Sequence, residues 1–163
     1  MAIKADRVPW YHCLFKRGCI IALNMGFDCL SDHFSFKLKK GFRFMLEHNA
    51  PYLIHCFQGI DRTGFMVMIL EMLMGAGKEE IVNEYMMSFL GQPDFKNGSK
   101  SYKNEKNNFC RVLDIIYNIG KISEEDDLAK VAKNYLSKKI GLTLDEINLL
   151  KLMLSKNEQY QQI

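Results

Sequence analysis

Two short apolar runs on either side of one amphipathic pattern constrain this chain more than any other feature. CIIALNM (Cys19–Met25) and YLIHC (Tyr52–Cys56) are continuous and carry β-branched residues. That pattern reads as strands buried on both faces. Between them Leu38, Phe42 and Met45 fall on one stripe of a helix that Ser35 can cap and that ends near Asn49. Strand, helix and strand with short connections predict a βαβ unit, two parallel strands joined by a right-handed crossover. The expected fold is therefore α/β: a small parallel sheet flanked by helices, followed by a helical C-terminal half. Two strands leave both sheet edges open, so either further N-terminal strands or a second copy of the chain is expected to cover them.

The remaining segments read as helices. WYHCLFKR lies between Pro9 and Gly18, in the usual Pro-in, Gly-out order. The segment from about Thr63 to Met74 is apolar on every side except at Glu71, which predicts a helix running through the core. Ile81, Tyr85 and Phe89 repeat every four residues within Lys78–Leu90. GQPDFKNGSKSYKNEKN is polar and reads as a surface loop. Helices are expected near Glu105–Asn118 and Asp127–Ile140, then a last one capped by Thr143, with Glu146 completing a capping box and Leu142 stapled to Ile147.

With 163 residues, the chain is expected to be a single domain spanning 1–163. Its 48% hydrophobic and 25% charged residues exclude a disordered tail. A net charge of +3 is too small to call for nucleic acid. The longest apolar stretch, FMVMILEMLMGAG, is broken by Glu71 and falls short of the ~20 residues a membrane span needs. The start, MAIKADRVPWYHC, has no apolar region of a secretory signal. Five cysteines at irregular spacing argue against a disulfide framework. A cytoplasmic protein is expected.

Chemistry concentrates in HCFQGIDRTG, His55–Gly64, where an expected strand ends and a helix begins. Backbone N–H groups of a tight loop entering a helix N-terminus converge on one centre and cradle a tetrahedral anion. Gly59 supplies a φ that a side chain would forbid, and Gly64 lets the helix pack closely. Cys56 lies at the floor of the cradle, where the amide dipoles and Arg62 favour its thiolate, a nucleophile aimed at phosphorus. Arg62, further round the loop, can fold back to grip two phosphate oxygens with its planar fork. The Thr63 hydroxyl can donate to the sulfur and ease its departure.

HCFQGIDRTG resembles the signature loop of the cysteine-dependent protein tyrosine phosphatases, HCxxGxxR followed by Ser or Thr. The Asp before the Arg is similar to a bacterial group with an HCxxGKDRTG or HCxxGKDRAG loop. The flanking PWYH, LFK, IALNMGFD, PYLIHC and LMGAGKEEIVNEYM are similar to that group as well. The resemblance implies two-step hydrolysis of phosphomonoesters through a phosphocysteine, with phosphorylated proteins or small aryl phosphates as substrates and no cofactor or metal. It implies Cys56 as nucleophile, Arg62 as phosphate clamp, Thr63 as sulfur partner and His55 as a loop-holding residue that tunes the thiolate. His55, Phe57, Gln58, Gly59, Ile60 and Gly64 form the rest of the phosphate loop. Where the bacterial group has Lys before the Asp, this chain has Ile60, and no Lys stands at 57, 58 or 60. A phosphoinositide substrate is correspondingly disfavoured. The alternatives are a phosphoinositide phosphatase and a phospho-ligand binding module without turnover.

A leaving oxygen needs a proton, and a carboxylic acid is the usual donor. Asp61, fixed within the loop, is favoured; Asp28, in the segment after the first apolar run, is the alternative, and Asp32 a weaker third. Cys29 could pair with Cys56 in a protective disulfide, but a free buried thiol is the better expectation. His12, His33 and His48 lack metal-ligand spacing with any cysteine. The Lys-rich stretch Lys96–Lys106 reads as a solvated surface segment.

Overall fold

Helix α3, Asp61–Met74, occupies the middle of the molecule, as its all-round apolar sequence demands. In the computed structural model, which describes residues 9–123 and 127–155, Phe65, Met66, Met68, Ile69, Met72 and Leu73 of this helix are all buried. Around it lie α2, Asp32–Glu47; α4, Lys78–Met87; α5, Lys100–Gly120; α6, Leu128–Tyr135; and α7, Leu144–Ser155. A short α1, Pro9–Lys16, precedes them and buries nothing. A 3₁₀ turn at Pro93–Phe95 leads towards α5, and a π turn at Leu136–Ile140 extends α6. The core is continuous across these helices: Phe34, Leu38 and Phe42 of α2, Ile81 and Tyr85 of α4, Leu113 and Ile116 of α5, Val131 and Tyr135 of α6, and Ile147 and Leu150 of α7.

The expected parallel sheet does not form between the two apolar runs. Among the described residues no strand occurs, and no backbone hydrogen bond joins Cys19–Met25 to Tyr52–Cys56. Both runs are non-helical, as their composition suggested, but neither has a ladder partner. A strand is defined by a neighbour about 4.8 Å away, and composition reports only the tendency to be buried and stretched out. The first run is also interrupted, since Asn24 takes a positive φ of 46°. Without a sheet, side chains expected in the core stay out of it: Leu53 is 85% exposed and Ile21 39%. Tyr52 and Ile54 turn inward and pack against the core cluster. The Tyr52 hydroxyl donates to the carbonyls of Met45 (2.9 Å) and His48 (2.7 Å), so the second run is tied to the C-terminal end of α2.

Two helix starts also differ from expectation. Ser31, not Ser35, caps α2, its Oγ accepting from the Phe34 amide at 3.1 Å. Ser35 lies inside the helix and donates back to the Ser31 carbonyl. Helix α5 begins at Lys100 behind a Ser99 cap, so much of the expected loop is helical. The capping box of α7 forms as expected: the Glu146 amide donates to Thr143 Oγ1 at 3.1 Å, and the Thr143 amide to Glu146 Oε2 at 2.7 Å. Leu142 and Ile147 beside it are both buried. No helix among the described residues is long and apolar enough to cross a membrane. Residues 1–8, part of the stretch searched for a secretory signal, lie outside the described residues.

Glu71 is the one break in the apolar surface of α3, and it sits half-buried near Glu80 and Glu84 of α4. Burial, then repulsion from those two carboxylates, pushes its pKa up to about 7. A folded-state pKa above the unfolded one means that the stabilising protonated form is complete only below the ordinary carboxylate range. That contribution is lost as pH rises through about 7. Thermal unfolding midpoints should therefore decline between about pH 5 and about pH 7, and Glu71→Gln should remove most of that decline. An unchanged pH dependence in the variant would show that Glu71 is already ionised in the fold.

Candidate phosphate-binding site

The loop from His55 to Ile60 connects the second apolar run to the N-terminus of α3, which begins at Asp61. Gly59 has φ +74°, a conformation L side chains rarely adopt, so the glycine expected to make the tight turn does so. Gly64, in the first turn of α3, answers to packing. A Cβ there would lie 2.7 and 2.8 Å from two ring carbons of Tyr85. Tyr85 cannot easily yield. Its ring stacks on Phe109 with centroids 3.7 Å apart, and its hydroxyl donates to Glu105 Oε1 at 2.8 Å. Helices α4 and α5 thus hold the first turn of α3 from below.

Cys56 is half-buried and free, at the point where the loop begins. Burial alone would raise its pKa. The hydroxyl of Thr63 and the backbone N–H groups of Thr63, Gly59 and Gln58 outweigh that burial and bring it down to about 6. Donors of this kind around a sulfur favour its thiolate over its thiol. Thr63 Oγ1 is itself buried, with no partner of good hydrogen-bond geometry.

Arg62 behaves differently from expectation. The groups that depress Cys56 most are amides and a hydroxyl, and the Arg62 guanidinium is engaged elsewhere. Its Nη1 donates to the carbonyl of Met25 at 3.1 Å, across 37 positions of sequence. One guanidinium offers five donors, so four remain for other acceptors. The contact ties the segment before Asp28 to the loop, and no sequence pattern signalled it.

His55 is exposed and makes no hydrogen bond among the described residues, so a loop-holding role has no structural support. Phe57 is 88% exposed at the rim, whereas Ile60 is buried in the core cluster. Asp61, the first residue of α3, is exposed and lies within electrostatic reach of Tyr85. Asp28 is exposed, and its carbonyl closes a turn by accepting from the Ser31 amide (3.1 Å) and hydroxyl (3.0 Å). Asp32 is committed to Lys139 at 2.9 Å, a partner that holds its carboxyl below its ordinary value. Cys29 is free, half-buried and packed against the core, and burial pushes its thiol up. No Cys29–Cys56 bond forms. Among the described residues no group of three or more His, Cys, Asp and Glu could hold a metal ion.

A half-buried cysteine with a lowered pKa stands where this loop begins, and an arginine follows in the first turn of α3. The sequence of residues 27–156, which contains this loop, matches the tyrosine phosphatase family. The match covers most of the chain, and the protein belongs to that family. Family membership supports phosphatase chemistry in general. No curated protein and no solved structure matches the chain.

Proposed function

We propose that the protein hydrolyses phosphomonoesters, phosphotyrosine-type aryl phosphates first, through a phosphocysteine. The observation that carries the proposal is the place of Cys56 at the start of a loop that enters the N-terminus of α3, where the donors of Thr63, Gly59 and Gln58 favour its thiolate. In the first step the thiolate attacks phosphorus, a P–S bond forms, the P–O bond to the leaving group breaks, and Asp61 gives that oxygen its proton. In the second step water attacks the phosphocysteine, Asp61 takes the water proton, and the P–S bonding pair returns to sulfur. The Thr63 hydroxyl stabilises the departing thiolate. Amides of the loop and free donors of Arg62 hold the equatorial oxygens throughout.

The aryl preference rests on the loop's composition. Position 60 buries an isoleucine, and no cation stands at 57 or 58. Polyphosphorylated inositol lipids call for extra positive charge at such a loop. Phe57 instead offers an exposed ring face beside the nucleophile.

Asp61 is proposed as the acid because it begins a packed helix, whereas Asp32 is already paired. Asp61→Asn should cost about 10²-fold in kcat on phenyl phosphate, a poor leaving group, and less than about tenfold on para-nitrophenyl phosphate. Equal losses on both would transfer the role to Asp28 or to water.

A further inference from the structure

Asn24 is the only described residue other than glycine with a positive φ, 46°. Asparagine is one of the few L-residues that tolerate the left-handed region, and β-branched residues do so worst. The chain on both sides of Asn24 is held. Leu23 fits against Gly41 of α2, where even a Cβ would approach its Cδ1 to 3.1 Å. Met25 packs on the core cluster, and its carbonyl receives Nη1 of Arg62 at 3.1 Å. The left-handed turn lets Leu23 seat in the Gly41 notch while the following peptide still faces α3.

We infer that Asn24 is a positioning residue for Arg62. Its turn aims the Met25 carbonyl, and that carbonyl fixes the plane of the guanidinium so that the remaining N–H groups are set for an incoming phosphate. The inference deepens the phosphatase proposal and rests on it. It has a specific signature, because the groups that depress Cys56 most do not include Arg62. Disturbing Asn24 therefore weakens the grip on the anion and leaves the thiolate alone. A merely structural defect in the loop would move both.

The test uses the full chain with Asn24→Val, Asn24→Ala and Asn24→Gly, each checked for folding by circular dichroism. Inorganic phosphate is the anion probe, read both as inhibition of para-nitrophenyl phosphate turnover and as protection of Cys56 from iodoacetate. Asn24→Val should raise the phosphate inhibition constant and KM about tenfold. Asn24→Gly, which keeps the turn without strain, should stay within about twofold of the parent. The pH midpoint of Cys56 alkylation should remain near 6 in every variant. In an Arg62→Lys background, the Asn24→Val effect should shrink to under about twofold.

Asn24→Gly as damaging as Asn24→Val overturns the inference, as does an undiminished effect beside Arg62→Lys or a shifted alkylation midpoint. If Asn24→Val does not fold, Asn24→Ala carries the same comparison. A parent chain that is protected by phosphate and turns over substrate, with all Asn24 variants matching it, defeats the positioning role alone. A parent with neither property defeats the phosphatase proposal and this inference with it.

Discussion

Cys56→Ser should reduce turnover of para-nitrophenyl phosphate by at least about 10⁴-fold, the scale on which an enzyme loses its only nucleophile. A serine hydroxyl fits the same volume and accepts from the same donors, but the cradle that brings a thiol down to about 6 leaves an alcohol neutral at pH 7. The substitution therefore removes the attacking anion and keeps the anion-binding loop. Isothermal titration with inorganic phosphate should show binding retained or improved, because a negative sulfur no longer repels the ligand. Loss of turnover with binding intact is what separates an enzyme from a phospho-ligand binding module. Residual turnover at the parental rate would mean that the chemistry lies elsewhere.

Arg62→Ala is the second large effect, expected at about 10³-fold in kcat/KM, or roughly 4 kcal/mol of transition-state stabilisation. Two losses combine in that figure. The transferring phosphoryl group loses its bidentate charge partner, and the Met25 carbonyl loses the donor that tethers its segment to the loop. Arg62→Lys should recover only a small part, since an ammonium keeps the charge without the planar fork. The Cys56 thiolate, supported chiefly by Thr63, Gly59 and Gln58, should titrate almost as before. Steady-state kinetics and alkylation on the same samples check both statements. A large rise in the sulfur pKa in Arg62→Ala would show that the guanidinium, not the amide ring, keeps it ionised.

What could be read in the sequence followed from how local each feature is. The tight turn at Gly59 and the helix start behind it were legible because their determinants lie within ten consecutive residues. The capping box at Thr143 and Glu146 is equally local, and it forms. The sheet failed for the opposite reason. CIIALNM and YLIHC carry strand composition, but a strand needs a second backbone, and neither run encodes its partner. Among the described residues that partner is absent, so Leu53 faces solvent. The first five residues of helix α5, Lys100–Asn104, were missed because Lys100, Lys103 and Asn104 face outward there. Tyr102 is the one apolar residue of that stretch packed on the core, and its polar surroundings masked it. The choice of Ser31 over Ser35 as the cap of α2 turns on the burial of Phe34, which a sequence reading cannot see. The Arg62 contact with Met25 links positions far apart and leaves no trace in any pattern.

The central claim is that folding alone, before any ligand arrives, ionises one sulfur. A depressed folded pKa means that the thiolate is present above about pH 6, and the stability it lends is lost as pH falls through that value. The direct measurement is the rate of Cys56 alkylation by iodoacetate across pH 4.5 to 10, followed by mass mapping of the Cys56 peptide, with and without inorganic phosphate. The account predicts a midpoint near 6 and strong protection by phosphate. A midpoint near the ~8.5 of an ordinary thiol, with no protection, would contradict it.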